Sequence, residues 1–163
     1  MDKIKIEGLK ELSDVMGQLP GAVAKRVLAN AVRKSAVMIQ ERAAELAPEA
    51  VADQATGKFT HLKGTLKRSI AIAAVRQGTP ATERKFAVYA QSANRKGSKV
   101  EANGPKDAWY AHFVEFGTVK MAKTPFMRPA FEQLKIAAKD EIIERIKSGI
   151  KTQIERLNTR RRL

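Results

Sequence analysis

Cysteine is absent from this chain of 163 residues. That removes disulfides, thiolate metal sites and cysteine nucleophiles together, leaves packing alone to hold the fold, and suits a cytosolic site of synthesis. Histidine is almost absent, with only His61 and His112. Long apolar runs are missing as well: none approaches the roughly 20 residues that cross a bilayer, and Met1-Asp2-Lys3-Ile4-Lys5 lacks the apolar core of a signal peptide. The expectation is a soluble, uncleaved protein with no membrane partner. Acidic residues are scarce beside basic ones, 17 against 31, and the formal charge of +14 draws polyanions or acidic protein surfaces while saying nothing about fold. No GxGxxG, P-loop, GxSxG, HExxH or paired-carboxylate motif occurs, and each of those chemistries depends on its spacing. The chain therefore reads as a non-enzyme with no cofactor, no metal and no catalytic residue.

What is present is patterning for a single domain, 1–163, with extensions. Ile4 and Ile6 alternate with Lys3 and Lys5 as a short edge strand would, and Leu9, Leu12, Val15, Met16 and Leu19 follow at helical spacing up to Pro20-Gly21. From Ala22 to Leu46 the stripe Leu28, Val32, Ser35, Ile39, Ala43 and Leu46 predicts a helix of about six or seven turns, stopped by Pro48. Residues 48–64 and 92–107 lack a period and read as extended loops, the second one protruding and moving. Between and after them, Leu66 to Val75, Phe86 to Ala90 and Ala108 to Phe116 read as strands. Pro129 suits the first turn of a last helix, 129–157, whose stripe is Phe131, Leu134, Ala138, Ile143, Ile146, Ile150, Ile154 and Leu157. That helix outruns a small sheet, so its distal half, Ile146 and Ile150 included, is expected between subunits. Gly149 marks a bend or a close approach to a partner, and 158–163 is a basic tail. The fold class is α+β: a small antiparallel sheet of about four strands packed against one long helix, with a long C-terminal helix.

His112 and Glu115 are the only close histidine and carboxylate. On a strand, residues three apart face opposite ways, so the pair would diverge and share no ligand. His112 then lies on the core or interface side, and Glu115 becomes a rim carboxylate paired with a cation, within or between subunits. The basic groups gather in three places: Lys58, Lys63, Lys67 and Arg68 beside His61; Arg95, Lys96 and Lys99; and Arg156 with Arg160, Arg161 and Arg162. They either neutralise phosphates or acidic partners, or are solvated loop charges. Few aromatics stand near them, which argues against a stacking platform for single strands.

The run Tyr110-Ala111-His112-Phe113-Val114-Glu115-Phe116-Gly117-Thr118, the segment Thr124-Pro125-Phe126-Met127-Arg128-Pro129-Ala130-Phe131, the helix end Leu46-Ala47-Pro48 and the stretch Thr65-Leu66-Lys67-Arg68-Ser69-Ile70 together resemble a family of tailed-phage proteins. These are the neck and tail-completion proteins akin to the lambda-type minor tail protein Z. Gly64-Thr65 stands where the family commonly has Thr-Gly, and the preceding loop is longer. The resemblance implies a structural virion protein of the tail or neck. It would form a ring of six copies, complete the tail and support head-tail joining around the DNA path. Its neighbours would be ring proteins such as a tail terminator, a major tail protein or a head-closure protein, with genomic DNA in the lumen. Tyr110, Phe113, Glu115 and Phe126 are then placed near the subunit contact, together with Ile146 and Ile150. Lys58, Lys63, Arg95, Lys96, Lys99, Arg160, Arg161 and Arg162 are candidates for contact with DNA or an acidic partner. The alternative is a non-specific, basic nucleic-acid-binding protein acting alone.

Overall fold

The computed structural model describes residues 14, 16–17, 21–49, 54–56, 59–61, 63–75, 83–94 and 98–160, without side chains at 54–56, 59–61, 156–158 and 160. The elements run α1 (Gly21–Leu46), β1 (Gln54–Thr56), β2 (Phe59–His61), α2 (Thr65–Ser69), β3 (Ile70–Val75), β4 (Lys85–Ala90), α3 (Ala111–Phe116) and α4 (Met127–Arg160). The expected strand at Ile4 and Ile6 lies outside the described residues, as does most of the expected first helix; Asp14, Met16 and Gly17 are helical.

The two long helices form the frame. At 26 and 34 residues, α1 and α4 are about 39 and 51 Å long. They lie antiparallel, with Gly149 against Val27 at one end and the Nε of Arg42 donating to Oε1 of Gln133 at 2.8 Å near the other. Their contact is made largely of small residues. Ala31, Ser35, Ala43 and Ala47 are buried on the α1 side, Ala130 and Ala138 on the α4 side, and the Ser35 hydroxyl donates back to the Ala31 carbonyl at 3.2 Å. A Cβ on Gly149 would stand 2.7 Å from Cγ1 of Val27, so the helices approach here as closely as a bare backbone allows. Gly149 is thus a close-approach site, but the partner is the chain's own first helix.

This pairing corrects the expectation for the distal part of α4. Ile146 and Ile150 are buried in one cluster with Val27 and Ala31, flanked by Met16, Val23, Leu28 and Ile142. The sequence argument weighed α4 against a small sheet and overlooked that α1 is long enough to run alongside it.

β3 and β4 pair antiparallel from Ile70↔Ala90 to Val75↔Lys85. They pack on α1 through a second cluster that holds Leu66, Ile70, Ala43, Ala47, Ala108, Ala111, Phe126 and Ala130, with Val88 and Ala90 against it. The Gln40 side-chain amide donates to the Ile70 carbonyl at 2.7 Å and fixes the start of β3 to α1. Three sequence expectations change here. The four described strands form two separate two-stranded sheets, because β1 pairs only with β2, as Gln54↔His61 to Thr56↔Phe59, inside the segment read as a loop. The strand expected from Leu66 begins at Ile70, since Thr65–Ser69 makes a helical turn in which the Ser69 hydroxyl donates to the Leu66 carbonyl at 2.6 Å. The strand expected at 108–116 is instead the short helix α3.

Candidate assembly surface

α3 forms because Ala108, Ala111 and Val114, three residues apart, turn toward the core, a helical rather than a strand spacing. Gly117 stops it. Its φ of 77° lies where side chains are disfavoured, its N–H donates to the Phe113 carbonyl at 2.8 Å, and a Cβ there would stand 3.0 Å from both Lys123 N and Met121 O. The chain then doubles back: Thr118 N donates to Met121 O at 2.9 Å and Thr124 N to Val114 O at 2.8 Å.

That return delivers the start of α4 to Glu115. Oε2 accepts from the N–H groups of Phe126 and Met127 at 2.8 and 2.9 Å, and Oε1 from that of Arg128 at 3.0 Å. The first N–H groups of a helix have no partner within it and carry partial positive charge, so a carboxylate is well matched to them. Pro129, which has no N–H, sits in the same first turn. Burial alone would raise the Glu115 pKa. The three N–H donors, with the charge of Arg128, outweigh it and hold the carboxyl below its ordinary 4.5. Glu115 is therefore a helix cap supplied from 11 to 13 residues away, not a rim carboxylate paired with a side chain. The strand argument about His112 falls with the strand. On a helix the two residues can share a side, but both Glu115 oxygens are engaged, while His112 is exposed with its ring 3.9 Å from that of Phe113. Among the described residues no group of three or more His, Asp or Glu could hold a metal.

Around this clamp large apolar side chains are exposed, with Lys120, Lys123 and Arg128 among them. Phe116 is 71% exposed, Val119 fully so, and Met121 and Phe113 lie partly open beside them. Trp109 meets Tyr110 and Phe113 edge-on, with centroids 6.0 Å apart in each case. Burial raises the Tyr110 pKa, with Arg68 lowering and Asp107 raising it to lesser extents. Contiguous exposed aromatic and aliphatic groups on a small subunit mark a contact surface. Phe116, Val119 and Met121 were not singled out in the sequence; the signal was Gly117, whose place as a helix stop would have put Phe116 on a terminal turn.

The other expected contact residues separate. Phe126 is 1% exposed and lies in the core, so its side chain, like those of Ile146 and Ile150, has no free surface for a neighbour. Tyr110 is half-buried against the same core. Lys63 and Lys99 are exposed; Lys58, Arg95, Lys96, Arg161 and Arg162, and the Arg160 side chain, lie outside the described residues. The described parts of the excursion 92–107, namely 92–94 and 98–107, are tied down at their base. The buried Asp107 carboxylate accepts from Ala93 N at 2.9 Å and Asn103 N at 3.0 Å. Ala108 N donates to Gln91 O at 2.9 Å across its base, and the Arg68 guanidinium bridges the carbonyls of Lys63 and Pro105. A cleft of about 720 Å³ lies beneath, lined by Tyr89, Gln91, Ser98, Lys99, Glu101 and Lys106 among others.

Glu115 and Asp107 thus hold backbone N–H groups, and the most exposed features are large apolar side chains and lysines. These are the marks of an assembly component. The chain belongs to the family described as "Bacteriophage HK97-gp10, putative tail-component", whose profile matches residues 10–117, well over half of its length. It is a phage tail component. No curated protein and no solved structure matches it. Among the described residues no helix is long and apolar enough to cross a membrane.

Proposed function

We propose that the protein is a ring-forming subunit at the neck end of the tail. It completes the tail and supports its joining to the head around the DNA path, in contact with ring proteins such as a tail terminator, a major tail protein or a head-closure protein. The observation that carries this reading is the ridge Phe116, Val119 and Met121, held rigidly by the Glu115 cap on a chain of the tail-component family. A closed ring needs one face of the subunit to fit a different face of the next. Phe131, Ile136 and Ile154, spread along α4, are further exposed apolar side chains available to such a face. Because the ridge is apolar, the contact persists in high salt, whereas attraction through the +14 charge would be screened.

Light scattering after size exclusion in high salt, with tails present and absent, tests this. The wild type is expected as a multimer of defined mass, or as a monomer that multimerises on tails. Phe116→Asp/Val119→Asp is expected to remain monomeric with an unchanged melting temperature, and to leave heads and tails unjoined in phage lacking the wild-type gene. Full restoration of joined particles by that variant would overturn the reading.

A further inference from the structure

The first 20 residues of α1, 21–40, contain no Asp or Glu, yet they carry Lys25, Arg26, Arg33 and Lys34. All four side chains are exposed. Arg26, Asn30 and Arg33 follow at four- and three-residue steps on one stripe, with Lys34 and Lys25 about a quarter-turn away on opposite sides of it. This stripe faces away from Val27, Ala31 and Ser35, which pack on α4. Among the described residues none of the four cations has a carboxylate partner, whereas the cations at Lys135, Lys139, Arg145 and Lys147 on α4 are each paired with one.

The antiparallel helix pair leaves this concentration in place. Because Gly149 lies against Val27, the C-terminal part of α4, where Lys151 and Glu155 are both exposed, runs beside the basic half of α1 and leaves its positive charge unopposed in net terms. We infer that the outer face of α1, through Lys25, Arg26, Arg33 and Lys34, binds the phosphate backbone of duplex DNA without reading its sequence. An acidic protein surface is disfavoured as occupant, because the exposed groups of this stripe include no large apolar side chain to form the dry centre that a protein contact requires. Phosphates need only cations and amide donors spread along a rod. The site is separate from the apolar ridge and does not depend on ring closure, so it can fail while the ring reading stands.

The test is equilibrium binding of the full chain to a labelled duplex of arbitrary sequence, by fluorescence anisotropy over a range of salt concentrations. Two variants are compared with the wild type: Lys25→Gln/Arg26→Gln/Arg33→Gln/Lys34→Gln, and a control, Lys120→Gln/Lys123→Gln, which removes exposed cations elsewhere. Glutamine keeps helix propensity, and circular dichroism checks the fold. Losing four phosphate contacts should flatten the slope of log K against log salt by about 3.6, while the control leaves the slope nearly unchanged. Equal flattening per charge removed in both variants would overturn the inference, since net charge alone would then explain binding. An unchanged slope with loss of tail association in the α1 variant would also overturn it and assign the stripe to an acidic protein.

Discussion

The two ends of the α1–α4 pair are closed by different physics. At one end, polar accounting dominates: Glu115 satisfies three N–H groups that start α4, Gly117 takes a conformation that disfavours side chains, and Phe126 fills the space between Ala43, Ala47 and Ala130. At the other end there is only shape, with Gly149 admitting Val27 and with Ile146 and Ile150 filling in around Ala31. The first end needs residues from three separate segments in one arrangement and is therefore exacting in sequence. The second end asks only that one position carry no side chain, so that the helices can touch. Their outer surfaces differ too: large apolar side chains are exposed among the cations beside the cap, whereas the outer face of α1 towards the glycine exposes cations and no large apolar side chain.

Three substitutions probe this contrast. Phe126→Ala should be the most damaging, at about 3–5 kcal/mol, because the side chain is almost fully buried and its neighbours are mostly alanines that cannot collapse into the void. Chemical denaturation measures it, and a loss below about 1 kcal/mol would mean that the capped end is not packed as described. Glu115→Gln should cost about 1–2 kcal/mol, the usual range for losing a helix cap, and its effect should depend on pH. The folded carboxyl titrates below its ordinary 4.5, so its contribution is complete above that value and fades as pH falls through the lowered one. Denaturation midpoints of wild type and variant should therefore converge in acid; a pH-independent gap would remove the carboxylate from the account. Gly149→Ala should cost about 1 kcal/mol or less, since the gain in helix propensity opposes a clash with a stiff valine. In a Val27→Ala background the same change should become neutral or stabilising at every pH, and an unchanged cost there would show that the glycine serves something other than helix contact.

The helices themselves were legible in the sequence, and the faces they bury were legible in part: the expected stripes include Ser35, Ala43, Ala138, Ile146 and Ile150, all buried, but they favoured Leu28, Val32, Phe131 and Ile143 over Val27, Ala31 and Ala130, which the structure buries instead. Helices that touch closely hide their small residues and push the large ones to the flanks, so size misleads where contact is tightest. Similarly, the aromatic run after Ala108 has strand propensity throughout, yet the need for Glu115 to reach the head of α4 favours one and a half turns of helix, and local preference yields to that contact. β3 and β4 were readable because alternation survives wherever one face packs on a helix. The α3 ridge was hidden in the sequence because its residues share a surface only after the turn at Gly117.

Asp107 has a wider consequence. Buried and holding the N–H groups of both Ala93 and Asn103, it gives the two shoulders of the 92–107 excursion a set shape before any neighbour arrives. Shoulders that are already set in this way forfeit little conformational entropy if the segment docks against another protein.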